Sequence, residues 1–186
     1  MNHETITRFL KDRNYIHPEH AESVLEVIVD VGITDNITQV SALLHDVLDY
    51  SDATPQDVTD AFGDAVGNIT LELFHDLRSP SANLLVCLMK KASGLSPQAT
   101  SILMADLITG FKIESMPPDL NYKNRQILAW LRELIGEFKD PHPILKERLE
   151  EAADAISLHL GYPPTESMAD VHDEIITLVE GEHDIE

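Results

Sequence analysis

The sequence predicts an all-α fold, on three observations. Apolar residues recur at helical spacing in most windows, and Pro and Gly fall where those windows end. No stretch alternates apolar and polar residues with the β-branched enrichment of a strand. Taken in order, Pro18 stands at a first helical position, and Ala21, Val24, Leu25, Ile28 and Val29 form one stripe behind it, stopped by Gly32. Asp35 or Asn36 caps the next helix, which is expected to run to about Asp49. Thr54-Pro55-Gln56-Asp57 opens a third, with Thr54 as N-cap, Pro55 next and an acid in the first turn; Gly63 closes it. A helix over 64–74 leads to a Ser/Pro loop at 79–81. Ser96-Pro97 starts a helix that carries Ala105 and Asp106 towards Phe111. Met116-Pro117-Pro118-Asp119 breaks the pattern. A long amphipathic helix is expected over 120–138, a second over 144–160 after the break at 140–143, and a last acidic one over 165–179.

A chain of 186 residues with 43% hydrophobic content suits one globular domain with a substantial core. Residues 1–140 are expected to form the main helical domain. Residues 141–186 are expected to pack on it as a C-terminal helical extension with an acidic tail, because alone they bury too little. The longest apolar runs, such as 102–105, are far too short to span a bilayer, and MNHETITRFLKDR lacks the apolar stretch of a signal peptide. Cys87 is alone, which excludes an internal disulfide and a cysteine-based zinc site. These features predict a cytoplasmic protein with no membrane partner.

The net charge is −20, from 13 Lys+Arg against 33 Asp+Glu, which argues against a nucleic-acid partner. An acidic chain still binds a small anionic substrate if a metal or a few local cations offset the background field. The residues therefore worth locating are metal-binding groups with sparse Lys and Arg nearby.

The stretch 41–50, SALLHDVLDY, is an apolar segment ending in adjacent His45 and Asp46. An imidazole and a carboxylate on a buried helix are costly unless paired or bound to metal. Asp49 lies four residues after His45, on the same face of a helix. His17, before Pro18, and Asp106, inside the apolar ILMADLITGF, are out of place in the same way. Two imidazoles and two carboxylates suit Mn²⁺, Fe²⁺, Zn²⁺ or a similar divalent ion.

The order His17 … His45-Asp46 … Asp106 resembles the H…HD…D signature of the HD superfamily, and within it the hydrolase domain of the RelA/SpoT alarmone enzymes and the small alarmone hydrolases. Tyr15-Ile16-His17-Pro18 is similar to their opening, one residue shorter. Gly32-Ile33-Thr34-Asp35, Ala42-Leu43-Leu44-His45-Asp46-Val47, Phe62-Gly63 and Met104-Ala105-Asp106 resemble successive family segments, over roughly residues 10–135. The resemblance implies an HD-domain helical bundle. It implies one divalent metal on His17, His45, Asp46 and Asp106, most often Mn²⁺, with Fe²⁺, Zn²⁺, Ni²⁺ or Co²⁺ as alternatives. The implied activity is hydrolysis of a phosphate ester or pyrophosphate linkage in a small phosphorylated metabolite, such as the 3′-pyrophosphate of guanosine tetraphosphate.

The chain departs from the family around that cage. Asp49 replaces a Glu, and Tyr50 replaces a second acid. Leu103, Leu107 and Gly110 stand where the family has Lys, a basic residue and Asn. The N-terminal basic cluster shrinks to Arg8, Lys11 and Arg13. Asp49 is the expected water-orienting residue, and Lys112 and Lys123 are the expected phosphate contacts. The bland readings stand beside these: Asp49 as a solvated helix end, Lys112, Lys123 and Arg125 as surface cations, Tyr50 as packing, and His20 as an exposed residue near the substrate at most. His75-Asp76, His172-Asp173 and His183-Asp184 read as unrelated pairs. The rival to a phosphohydrolase is a metal- or nucleotide-binding module without turnover. A homo-oligomer is compatible with either.

Overall fold

The computed structural model of the chain describes residues 3–75, 84–111 and 121–161. Among them are nine helices and no strand, so the all-α expectation holds. The helices are α1 (His3–Asp12), α2 (Pro18–Asp30), α3 (Asn36–Leu43), α4 (Pro55–Phe62), α5 (Asp64–Leu73), α6 (Leu84–Ala92), α7 (Pro97–Gly110), α8 (Asn121–Glu137) and α9 (Pro143–Leu160).

Local chemistry sets most helix starts. The Asp35 carboxylate accepts the amides of Ile37 and Thr38 at the head of α3. Thr54 and Asp57 form a reciprocal capping box at the head of α4. The Ser96 hydroxyl accepts the Ala99 amide at the head of α7, and proline fills the first turn of α2, α4, α7 and α9. Gly63 links α4 to α5 at φ +89°, a conformation that a side chain would strain. The predicted break at 116–119, the loop at 79–81 and the helix at 165–179 lie outside the described residues.

Two apolar clusters hold the bundle. One joins Val24 and Ile28 of α2, Ala42 of α3, Ile69 of α5, Ile102 and Leu103 of α7, Leu131 of α8 and Leu145 and Leu149 of α9. The other joins Ile6 and Leu10 of α1 to Tyr15, Leu43, Leu44, Val47, Val58 and Phe62. The end of α3 and the segment after it lie at the seam between them, with Ala42 in the first cluster and Leu44 and Val47 in the second.

Helix α9 belongs to the first cluster through Leu145, Leu149 and Ala153, and the Arg148 guanidinium meets Asp30 of α2 at 2.6 Å. Leu145 has no exposed surface. Leu145→Ala is therefore expected to destabilise the whole domain by about 2–5 kcal/mol, the usual range for a buried leucine. The transition in urea should stay single and shift to lower denaturant for probes on α2 and α9 alike. A selective loss of α9 with α2 unchanged would contradict this packing.

One element differs from expectation. Helix α3 ends at Leu43 and not near Asp49; residues 44–50 form tight turns instead. Three bonds there reach back three residues, from the Leu44 amide to Ser41, Val47 to Leu44 and Asp49 to Asp46, and the Tyr50 amide reaches back four to Asp46. The physical reason is the His45 ring. Its Nδ1 donates to the Ala42 carbonyl at 2.9 Å, the acceptor that a continuing α-helix would offer to the Asp46 amide.

Candidate metal centre

Three pieces of chain build the site. The start of α2 supplies His17 and His20, the turns after α3 supply His45, Asp46, Asp49 and Tyr50, and α7 supplies Asp106. The approach to α2 is tied down from both sides. The Asp52 amide donates to the Arg13 carbonyl at 2.9 Å, the Asn14 side chain donates to Asp52 at 2.7 Å, and Arg13 meets Asp57 at 2.5 Å. These bonds hold the segment before His17 against the turns that carry His45 and Asp46.

His45 is buried, with 5% of its surface exposed. A carbonyl only accepts, so the bond to Ala42 places the ring proton on Nδ1 when the imidazole is neutral. Its Nε2 then presents a lone pair, 3.6 Å from Asp106 Oδ1. Asp106 Oδ1 also lies 2.8 Å from Nε2 of His20. Asp46 Oδ1 accepts the Tyr15 hydroxyl at 2.5 Å. The His20 and His45 rings stand 5.3 Å apart, and donor atoms of His20, His45 and Asp46 all lie within 4.8 Å of one another. A backbone-anchored imidazole and a hydrogen-bonded carboxylate are the outer supports that metal ligands use.

His17 is the N-cap residue of α2 and makes no side-chain capping bond. Its ring lies edge-on to Tyr50 at 4.7 Å and lines the same cavity, outside the tight group of three. Asp49 is buried, and its Oδ2 accepts the backbone amide of His75 at 3.1 Å. The cavity holds about 320 Å³. Its polar lining is His17, His20, His45, Asp46, Asp49, Tyr50, His75 and Asp106; its apolar lining is Leu73, Leu88, Leu103 and Leu107, with Gly110.

The charges in this cavity are uneven. Burial alone would push the Asp106 carboxyl up, but hydrogen bonds and charge from His20 and His45 hold it well below the usual carboxylate range. Burial disfavours the His45 imidazolium, yet Asp106 and Asp46 outweigh that and push it up to about 9. The Tyr15 hydroxyl is driven far up by burial and by Asp46, and Tyr50 is raised by burial and the same carboxylates. His75 is lowered by burial and so favours its neutral form. Burial is the larger cause for both phenols, and the carboxylates of Asp46, Asp49 and Asp106 that gather in the pocket give it the negative charge that attracts a cation. Imidazole nitrogens and carboxylate oxygens at these separations fit a divalent ion of the Mn²⁺ to Zn²⁺ series.

A pH effect follows for protein stripped with a chelator. The folded His45 titrates near 9, above the 6.5 of an ordinary histidine. Its proton binds the folded state more tightly than the unfolded one, so it stabilises fully below pH 6.5. That stabilisation disappears as pH rises through about 9. The melting temperature of stripped wild type should fall across this window more steeply than that of His45→Ala. Parallel pH profiles would contradict the assignment.

The structure thus gathers His45, Asp46 and Asp106, sets His17 on the cavity wall, and places Asp49 beside them. Lys112 lies outside the described residues, as does the side chain of Lys123, whose backbone is in the first turn of α8. His20, expected on the surface, is half-buried and paired with Asp106. Its sequence signal was its place three residues after His17, one helical turn away. His75 also lines the cavity, although its His-Asp pair read as unrelated.

No family model and no curated protein matches the chain. Among solved structures it is similar to a metazoan ortholog of SpoT, described as hydrolyzing ppGpp and playing a role in starvation responses. The identity is 20% and the TM-score 0.71, over 83% of this chain and 94% of that one. The chain therefore has the fold of that protein, as the resemblance in its sequence implies.

Proposed function

We propose that this chain is a metal-dependent phosphohydrolase acting on a small phosphorylated metabolite, a nucleotide by preference, in the cytoplasm. The observation that carries this reading is the group of His20, His45 and Asp46 donor atoms within 4.8 Å, with Asp106 against them, in a cavity on an alarmone-hydrolase fold. His17, His45, Asp46 and Asp106 would hold the ion, with Mn²⁺ first among the candidates. When bound, a divalent ion lowers the pKa of water and polarises a phosphoryl oxygen.

The chain's own groups supply the rest. Asp49, fixed by the His75 amide, receives the proton of the attacking water as its oxygen bonds to phosphorus. The phosphorus–oxygen bond to the leaving group breaks, and that oxygen takes up a proton from solvent. Tyr15 holds Asp46 in place by donating to Oδ1. Lys112 and Lys123 offset phosphate charge. Leu73, Leu88, Leu103 and Leu107 give the cavity an apolar wall, which suits a substrate with fewer charges than guanosine tetraphosphate. That wall, with Tyr50 at the position of an acid, is also what favours the second reading, a binding module without turnover.

The test is a panel of nucleoside mono-, di- and triphosphates with guanosine tetraphosphate, assayed for phosphate and pyrophosphate release with Mn²⁺. Turnover of at least one simple nucleotide, faster than pyrophosphate release from guanosine tetraphosphate, is expected. Selective, rapid cleavage of guanosine tetraphosphate would overturn the substrate preference. Ligand-induced thermal stabilisation without any turnover would favour the binding module.

A further inference from the structure

We infer that His20 is itself a metal ligand, so that the ion faces a third imidazole, His20, in addition to His17 and His45 beside Asp46 and Asp106. This rests on the metal-centre reading above and adds to it a ligand outside the H…HD…D pattern.

Distances carry the inference. Donors on one ion with bonds of about 2.1 Å stand roughly 3 Å apart when adjacent and roughly 4.2 Å apart when opposite. His20 Nε2 lies 2.8 Å from Asp106 Oδ1, and His45 Nε2 lies 3.6 Å from that same oxygen. The donor atoms of His20, His45 and Asp46 fall within 4.8 Å of one another. His20 thus stands where an adjacent ligand stands, whereas His17 is outside that group, with its ring edge-on to Tyr50.

The helix explains how this happens. Pro18 opens α2, and His20 follows in its first turn, where Ala21 packs fully buried beside it. A histidine at that place has only to extend its ring along the helix surface to reach α7. The side chain is 34% exposed, far less than the 59% of His3, which pairs with Glu22 on the same helix. A role limited to holding Asp106 by a hydrogen bond would satisfy the 2.8 Å contact but would leave the grouping with His45 and Asp46 unexplained.

Ligand chemistry gives the consequence. Imidazole suits Fe²⁺, Co²⁺, Ni²⁺ and Zn²⁺, whereas carboxylate-rich sets suit Mn²⁺. An added imidazole moves preference towards the former group. Mn²⁺ then binds more weakly than those ions, while still able to support turnover.

The test uses the full chain loaded with Co²⁺. Proton NMR in water counts paramagnetically shifted imidazole N–H signals, and calorimetry gives Co²⁺ and Mn²⁺ affinities. Both His20→Ala and His20→Gln are compared with wild type; glutamine keeps a donor for Asp106 but offers no imidazole. Each variant is expected to lose one shifted signal, to bind Co²⁺ more than about 100-fold more weakly, and to lose at least about tenfold of the Co²⁺-over-Mn²⁺ preference. An unchanged signal count in His20→Gln, with affinity within about threefold of wild type, would overturn the ligand role while leaving the metal centre standing. Absence of shifted signals in wild type, or full metal retention in His45→Ala, would instead remove the metal centre itself and this inference with it.

Discussion

Replacing Asp49 by asparagine should leave the metal and the fold in place and lower kcat about 10²–10⁴-fold, the usual contribution of a positioned general base. Asp49 is buried in the cavity, and its Oδ2 is held by the His75 amide. Asparagine keeps an oxygen to accept that amide but cannot take a proton at neutral pH. The variant should therefore retain wild-type metal content and melting temperature while losing most turnover of whichever substrate the panel identifies. Asp49→Glu adds the methylene that the alarmone hydrolases have at this position, and is expected to retain activity. An unchanged kcat in Asp49→Asn would reduce Asp49 to a buried structural acid and would leave water activation to the ion and to other groups.

His45→Ala should do the opposite and abolish metal binding. The ring is almost fully buried, its Nδ1 is anchored on Ala42, and its Nε2 faces Asp106. Alanine removes this donor, opens a gap at the seam of the two clusters, and leaves Asp46 and Asp106 with one cation fewer. Elemental analysis after reloading and desalting should fall from near one ion per chain to near none. Activity should fall with it and should not be restored by excess metal at micromolar levels. Full metal retention in this variant would mean that the ion is held elsewhere.

Much of this was legible in sequence because it is local. Pro18, Asp35, Thr54 with Asp57, and Ser96 each announce a helix start through their own side chains or rings, and each start is where the sequence places it. His45, Asp46 and Asp106 were legible because polar groups inside apolar runs need partners. What failed to show was set by distant neighbours. The end of α3 is decided by the His45 ring, not by propensity around 44–49. The burial of His20 depends on Asp106, 86 residues away along the chain. Helix α6 begins with the continuous apolar run LLVCLM, which has no periodicity to read. Helix α1, also missed, was readable from Ile6, Phe9 and Leu10 at helical spacing, which all reach the core.

If this cavity hydrolyses phosphate compounds through a bound divalent ion, turnover must stop when the ion is removed and return when it is restored. The most direct measurement is phosphorus-31 NMR of a nucleotide mixture incubated with metal-reloaded protein, then with the same protein stripped by a chelator, then with the metal restored. New phosphate or pyrophosphate resonances should grow in the first and third samples and be absent from the second. Unchanged spectra in the first and third samples, from protein shown to carry its ion, would contradict hydrolysis at this site.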